Sequence, residues 1–143
     1  MDLEELKGQI TFDGVRALEH EGDTYYLYDP HSDLPPERQM PFVTIVTGDR
    51  HDDFSRLDEP GTYRLNIGLT KATFTARFQQ EGEIDYAARD VVMRHPVYGG
   101  QYWVCVVNPT DISVIRPLMA EAYQFGVRKY NNHQARTSGH SGQ

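Results

Sequence analysis

Two short polar segments carry the side chains best suited to bind a ligand. Arg64 and Asn66 alternate along residues 62–67, which places both on one face of a predicted strand. A guanidinium donates hydrogen bonds in a fixed fork that matches a carboxylate or phosphate, and an amide both donates and accepts. His95 and Tyr98 lie on a loop bounded by Pro and Gly, just before the last predicted strand. If this loop folds over the sheet, the four side chains line one pocket for a small polar or anionic molecule.

Trp103, in the strand after that loop, is the predicted wall of the pocket because an indole stacks on planar groups. The same residues also have a structural interpretation, in which Arg64 and Asn66 bind loop carbonyls and His95 caps a turn. A third interpretation is a small enzyme that uses His95 as general acid/base, since an imidazole with a pKa of about 6.5 suits neutral pH. The sequence therefore favours non-catalytic recognition and leaves open whether the protein is an enzyme.

Two acidic loops and one turn contain further residues that can ligate ions. Neither loop matches an EF-hand or a His-Glu-x-x-His helix, and no dinucleotide or Walker spacing occurs, so we predict no metal site and no cofactor. The turn at residues 68–71 leads into a predicted helix and offers a weak anion site at its N-terminus. The candidate metal ligands are Asp29, His31 and Asp33 in the first loop and His51, Asp52 and Asp53 in the second.

The charge distribution argues against a nucleic-acid partner. The chain has 21 acidic and 14 basic residues, and its formal net charge is −7. Residues 1–59 alone hold 15 acids and 5 bases, so the basic excess in the remainder is small. Because nucleic-acid binding normally requires a basic surface, we predict that neither DNA nor RNA is bound. Acidic loops and aromatic strands leave open a protein-interaction module and a homodimer.

Cysteine content and hydropathy indicate the compartment. Cys105 is the only cysteine, so no internal disulfide can form, and its apolar neighbours predict a buried, inert thiol. No run of 18 apolar residues occurs, and the N-terminus is acidic where a signal peptide would be basic. We therefore predict a cytoplasmic protein without a membrane partner.

The hydrophobic periodicity predicts an α+β fold. The strands before residue 68 follow one another without helices, which is typical of an antiparallel sheet. Thr70 is the predicted N-cap of a helix in which Phe74 and Phe78 are stacked and buried, and Pro117 is placed within the first turn of the last helix. The predicted helices cover residues 2–10, 71–80, 84–93 and about 114–130, and the predicted strands cover 15–19, 24–28, 42–47, 62–67 and 101–107.

These elements predict one two-layer domain over residues 1–130. Its mostly antiparallel sheet has about five strands, with residues 42–47 central because they are apolar on both faces, and the helices pack on one face of the sheet. Residues 131–143 lack hydrophobic anchors and are predicted to form a disordered C-terminal tail.

Four segments form a recognisable set, namely residues 28–30, 41–47, 55–68 and 95–98. The most specific blocks are Arg-Leu-Asn-Ile-Gly at 64–68 and His-Pro-Val-Tyr at 95–98. The set resembles a bacterial family of small proteins known only as a domain of unknown function, and the resemblance extends to about residue 130. It implies no activity, substrate or catalytic residue.

The order of the elements also resembles, more distantly, that of the MmcQ/YjbR-like proteins. These are small α+β domains with an antiparallel sheet and a C-terminal helix. Some of them have been proposed to bind DNA. The acidic balance of the present chain argues against that role here.

Overall fold

The alternating and two-sided apolar segments form one antiparallel sheet. The computed structural model describes residues 1–79 and 82–141. In chain order its elements are α1 (Leu3–Gln9), β1 (Val15–His20), β2 (Asp23–Tyr28), β3 (Val43–Val46), β4 (Arg64–Gly68), α2 (Lys71–Arg77), β5 (Met93–Arg94), β6 (Trp103–Val107) and α3 (Ile112–Ser141). The strand order is β1-β2-β3-β4-β6-β5, and every neighbouring pair is antiparallel. The fold is α+β, as the sequence predicts.

The sheet has six strands, one more than the sequence predicts. The additional strand, β5, begins at the end of the segment predicted as a helix over residues 84–93, and that helix is absent from the described residues. Two local features stop a helix there. The side chain of Asp85 accepts a hydrogen bond from the N–H of Ala87, and Asp90 has a positive φ of 61°. Met93 then pairs with Cys105 of β6.

The prediction that residues 42–47 form a central strand is confirmed. β3 lies between β2 and β4, and both of its faces are covered. Val43 and Ile45 are fully buried in the main core, whereas Val46 packs with Leu57 and Val107 on the opposite face. Burial on both faces explains why this strand is a continuous apolar run.

One face of the sheet packs against the helices. Leu65 and Ile67 of β4 share this core with Leu6 of α1 and Met119 of α3, and all four are fully buried. The predicted burial of two stacked phenylalanines is confirmed, and the side chain of Thr70 caps α2 as predicted. Helix α2 ends at residue 77, and residue 80 of its predicted range lies outside the described residues. The two buried phenylalanines are Phe74 and Phe78.

The last helix is longer than predicted. α3 begins at Ile112, after Asp111 accepts a hydrogen bond from the N–H of Ser113, so Pro117 is its sixth residue rather than a member of its first turn. Pro117 and Ser113 are both exposed, so water can solvate the carbonyl that proline leaves without a donor. The helix continues through residue 141, and residues 142 and 143 lie outside the described range. The division into a domain over 1–130 and a tail over 131–143 stays a prediction.

The described helices include none with the length and apolar character needed to cross a bilayer.

The second face of the sheet is covered by irregular chain rather than by helices. The 47–63 segment covers the polar side chains of β4 through the contacts of Asp52 and Ser55 with Arg64. Tyr86 and Arg89, from the segment before β5, contact the 47–63 segment in turn. Parts of the 47–63 and 84–102 segments are buried, namely Ser55, Leu57 and His95, whereas Phe54, Val97 and Tyr98 stay exposed.

Candidate ligand-binding site

Arg64 lies at the centre of a polar network beneath the 47–63 loop. Its side chain is only 2% exposed. Nη1 and Nη2 donate to the two carboxylate oxygens of Asp52 at 3.0 and 2.9 Å, and Nη1 also donates to the Ser55 hydroxyl at 3.0 Å. Nε donates to Oδ1 of Asn66 at 3.0 Å. The guanidinium fork is therefore already engaged by groups of the protein itself.

Asn66 extends the network across the sheet. Its Nδ2 donates to the Thr44 hydroxyl on β3 at 3.0 Å, and the side chain is 4% exposed. Among the described residues, no buried side-chain nitrogen or oxygen lacks a hydrogen-bond partner. Hydrogen bonds from Arg64 hold the pKa of Asp52 below its ordinary value, so this carboxylate stays ionised. The arrangement is a closed ion pair that fastens the loop to the sheet.

His95 is held as a neutral imidazole. It is 2% exposed, and its Nδ1 accepts hydrogen bonds from the backbone N–H groups of Val97 and Tyr98 at 3.1 and 3.0 Å. Burial, and secondarily the positive charge of Arg64, lowers its pKa to about 4. The imidazole caps the turn through Nδ1, as the structural interpretation predicts, and it is a weak base. The hypothesis that His95 acts as general acid/base stays untested, and this geometry gives it no support.

Four of the five predicted ligand-binding residues lie together, and the fifth lies apart. Tyr98 is 50% exposed, and its ring centroid lies 5.1 Å from that of His95, whose pKa is lowered by burial and by the nearby charge of Arg64. These side chains, with Asn66, form a packed cluster in which only Tyr98 reaches the surface. Trp103 instead lies over Gly68 and lines a separate cavity.

Three of the six candidate metal ligands, Asp29, His51 and Asp52, are engaged by internal contacts. Asp29 accepts hydrogen bonds from two backbone N–H groups and pairs with Arg16, while His51 binds Asp23 at 2.9 Å. No cluster of three or more His, Cys, Asp or Glu with the arrangement of a metal site occurs in the described parts of the chain. The predicted anion site at the start of α2 is filled by Glu121, whose carboxylate accepts from the Thr70 N–H at 3.3 Å. Burial raises the pKa of the Cys105 thiol to about 12, so the prediction of an inert thiol is supported.

A cavity of about 510 Å³ lies at one end of the sheet. The C-terminal half of α3 forms one wall, and the loop before β3 together with the start of β6 forms the other. Its volume is within the range of small-molecule sites, about 300–1,000 Å³. Aromatic rings make up much of its wall, namely those of Tyr28, Phe42, Trp103, Phe125 and Tyr130.

The cavity is positively charged although the protein is acidic. Arg38 on the loop and Lys129, His133 and Arg136 on α3 line it, and no Asp or Glu belongs to its described lining. The three α3 residues are spaced by four and three positions, which puts them on one side of the helix. Desolvation and the positive charges of Arg38 and Arg136 lower the pKa of His133. Arg38 and Arg136 therefore both lie close enough to His133 to affect its protonation.

Sequence reasoning missed the cationic residues of this cavity. The signal on α3 was present, because positions 122, 126, 129, 133 and 136 follow helical spacing and change from apolar to basic. Because the sequence predicts that the helix ends near residue 130, it gives no reason to place His133 and Arg136 on the same side of a helix as Lys129. Arg38 gave no signal, since it lies in a Pro-containing loop that is distant from α3 in the sequence.

Residues 1–135 match the model of a family of unknown function, DUF6194. No curated protein and no solved structure matches the chain. The more distant resemblance to MmcQ/YjbR-like proteins stays a prediction.

Proposed function

This chain belongs to DUF6194, a family of unknown function, and we propose from its geometry that it binds a small organic anion in the cavity beside α3. The observation that carries the proposal is the convergence of Arg38, Lys129 and Arg136 on an aromatic-walled cavity without an acidic residue in its described lining. The role is recognition rather than catalysis. It retains Trp103 as a wall of the site, while Arg64, Asn66 and His95 serve the stability of the opposite face.

The cavity cations take no part in ion pairs, whereas several basic residues elsewhere in the described chain do. Arg16 pairs with Asp29 at 2.7 Å, and Arg64 pairs with Asp52 at 2.9 Å. Arg50 and Arg89 also pair with carboxylates. Within the described chain, by contrast, Arg38, Lys129 and Arg136 form no ion pair. In a protein with 21 acidic residues, unpaired cations around one cavity favour an anionic ligand.

The apolar walls define the rest of the ligand. Phe42 and Phe125 lie where α3 approaches β3, and Met40 stands at the cavity with its side chain 75% exposed. A ligand with an apolar body would cover this surface while its charged group meets the cations. The described lining contains no Ser, Thr, Cys, Asp or Glu, so it offers no aliphatic hydroxyl or thiol nucleophile and no carboxylate base. Its charged side chains are all basic, which suits the binding of an anion.

The proposal is tested with 2-naphthoate and its neutral analogue 2-naphthamide as probes. Trp103 is the only tryptophan, so its indole N–H gives a single resonance that reports on the cavity during an NMR titration. Naphthoate should shift this resonance and bind more tightly than the amide, and its affinity should fall as salt is added. Equal affinity for the two probes, or no shift with either, would contradict anion recognition.

Substitution of the α3 cations should weaken binding of 2-naphthoate. We expect Lys129→Gln and Arg136→Gln each to raise Kd roughly 5- to 10-fold, because each removes a charged donor from the cavity. Arg89→Gln is the matched control, since Arg89 is exposed, pairs with Glu59 and does not line this cavity. Calorimetric titration measures all three. If Arg89→Gln weakens binding as much as the α3 variants, the effect is one of general charge and the proposed site is wrong.

The same geometry supports the prediction that nucleic acid is not bound. A duplex requires several cations along an exposed stripe, whereas Arg38, Lys129 and Arg136 surround one cavity in an acidic protein. We expect the affinity for duplex DNA to be no tighter than about 10⁻⁴ M at physiological salt. A fluorescence-anisotropy titration checks this value. Micromolar, salt-sensitive binding that is lost in Lys129→Gln would contradict the prediction and make the cavity part of a nucleic-acid surface.

A further inference from the structure

We propose that the ligand of this cavity is a planar aromatic or heteroaromatic ring that carries a carboxylate or phosphate, with the ring stacked on Trp103. This inference rests on the proposed function and specifies the class of ligand. It adds a contact that the cations alone do not require, namely one between the ring and the indole.

The first observation is how the indole is placed. A Cβ built on Gly68 would lie 2.9 Å from both Cε2 and Cζ2 of Trp103 and 3.3 Å from Nε1. Three ring atoms at similar distances from one point indicate that the ring lies face-on over Gly68. Gly68 and Trp103 are also directly opposed in the β4–β6 register. Because residue 68 has no side chain, the indole rests on the strand backbone and is only partly buried.

The second observation is that this indole has no aromatic or cationic partner within the described chain. The other rings of the cavity wall are all engaged. Tyr28 and Tyr130 pack edge to face at a centroid distance of 5.1 Å, and Phe42 packs against Tyr123 at 5.8 Å. Phe125 lies under the ammonium of Lys129 at 4.2 Å. Trp103 therefore offers the free π surface of the site, which is suited to a planar ring or a cation.

Charge decides between these two ligand types. A cationic ligand would be repelled by Lys129 and Arg136, whereas a planar ring with an anionic group satisfies both the indole and the cations. Helical side chains lean toward the N-terminus of their helix, so His133 and Arg136 extend back toward the aromatic part of the cavity. The ring then lies at the Trp103 end and the anionic group at the α3 end.

The test uses two acids with the same charge and the same ten-carbon frame. One is the planar 2-naphthoate and the other is the saturated decahydronaphthalene-2-carboxylate. We expect naphthoate to bind about 3- to 10-fold more tightly to the full chain in calorimetric titrations, because only a planar ring stacks on the indole. In Trp103→Leu the two acids should bind with similar affinity, while the affinity for the saturated acid stays close to its value in the parent protein.

A second variant keeps the test valid if Trp103→Leu does not fold. Gly68→Ala retains the indole but places a methyl group within 2.9 Å of it, so the ring must move from its present position. The preference for naphthoate should fall in this variant too. A third probe, 2-naphthyl phosphate, identifies the anionic group. If it binds more tightly than 2-naphthoate, the site prefers a phosphate, and if it binds less tightly, the site prefers a carboxylate.

The outcomes separate the inference from the proposed function. Equal binding of the planar and saturated acids by the parent protein would overturn stacking on Trp103 and leave anion recognition standing. Binding of neither acid would overturn both. A planar preference that persists unchanged in Trp103→Leu and in Gly68→Ala would show that the ring binds elsewhere, and it too would overturn the inference.

Discussion

Asp52→Asn should lower the free energy of unfolding by about 3–5 kcal/mol, because it leaves the Arg64 guanidinium charged and buried without its carboxylate. The structure gives this pair two direct contacts, from Nη1 and Nη2, and buries both side chains almost completely. Urea denaturation at neutral pH measures the loss. Asp53→Asn is the matched control, since it removes the neighbouring carboxylate, which is exposed, and should change stability by less than about 0.5 kcal/mol.

The Arg64–Asp52 pair should also affect the pH dependence of stability and the stability of a double variant. The lowered pKa of Asp52 contributes stability that is present above its unfolded pKa and is lost as the pH falls below it, so Asp52→Asn should lose less stability in acid than the parent. The double variant Arg64→Met, Asp52→Leu should recover part of the lost stability by replacing the pair with apolar packing. If Asp52→Asn is no less stable than Asp53→Asn, the network is incidental to folding.

The second large effect concerns His95 and acid. The unfolded imidazole takes up a proton near pH 6.5, whereas the folded one resists protonation until about pH 4. The unfolded state therefore binds more protons between these values, and stability falls as the pH decreases through this window. The expected loss is roughly 3 kcal/mol, and it is absent above pH 7, where the imidazole is neutral in both states.

Variants at this position separate charge from capping. His95→Asn offers an amide oxygen to the N–H groups of Val97 and Tyr98, so it should fold and should lose less stability between pH 6.5 and 4 than the parent. His95→Leu removes the acceptor as well and should be less stable at every pH. His31→Asn changes an exposed histidine and should leave the parent profile intact. A His95→Asn profile identical to that of the parent would refute this assignment.

The sequence predicted the helix-facing side of the sheet well. Leu65 and Ile67 alternate with polar neighbours, and Thr70 is followed by a helical pattern, so local periodicity and capping were sufficient there. β5 was missed because two residues are too short for a periodic signal. Its position depends on the pairing of Met93 with Cys105, which is a long-range contact.

The candidate site was predicted less completely, for a different reason. Alternation placed Arg64 and Asn66 on one face correctly, but a polar loop such as 47–63 carries no sign that it will cover that face. The sequence therefore favoured an accessible guanidinium where the structure has a closed pair. The cavity joins Arg38, Trp103 and Arg136, which are far apart in the sequence, so only the tertiary fold brings them together.

The buried pair of Arg64 and Asp52 also has an evolutionary consequence. A loss of about 3–5 kcal/mol removes a large share of the 5–15 kcal/mol that typically separates a folded domain from its unfolded state. A lineage that changes either residue alone would therefore pass through a poorly folded intermediate. The two positions lie 12 residues apart in the chain, yet we expect them to be inherited as one character. Members of the family should retain both charges or replace both, and the residue at position 52 should then covary with the residue at position 64 more closely than that at position 53 does.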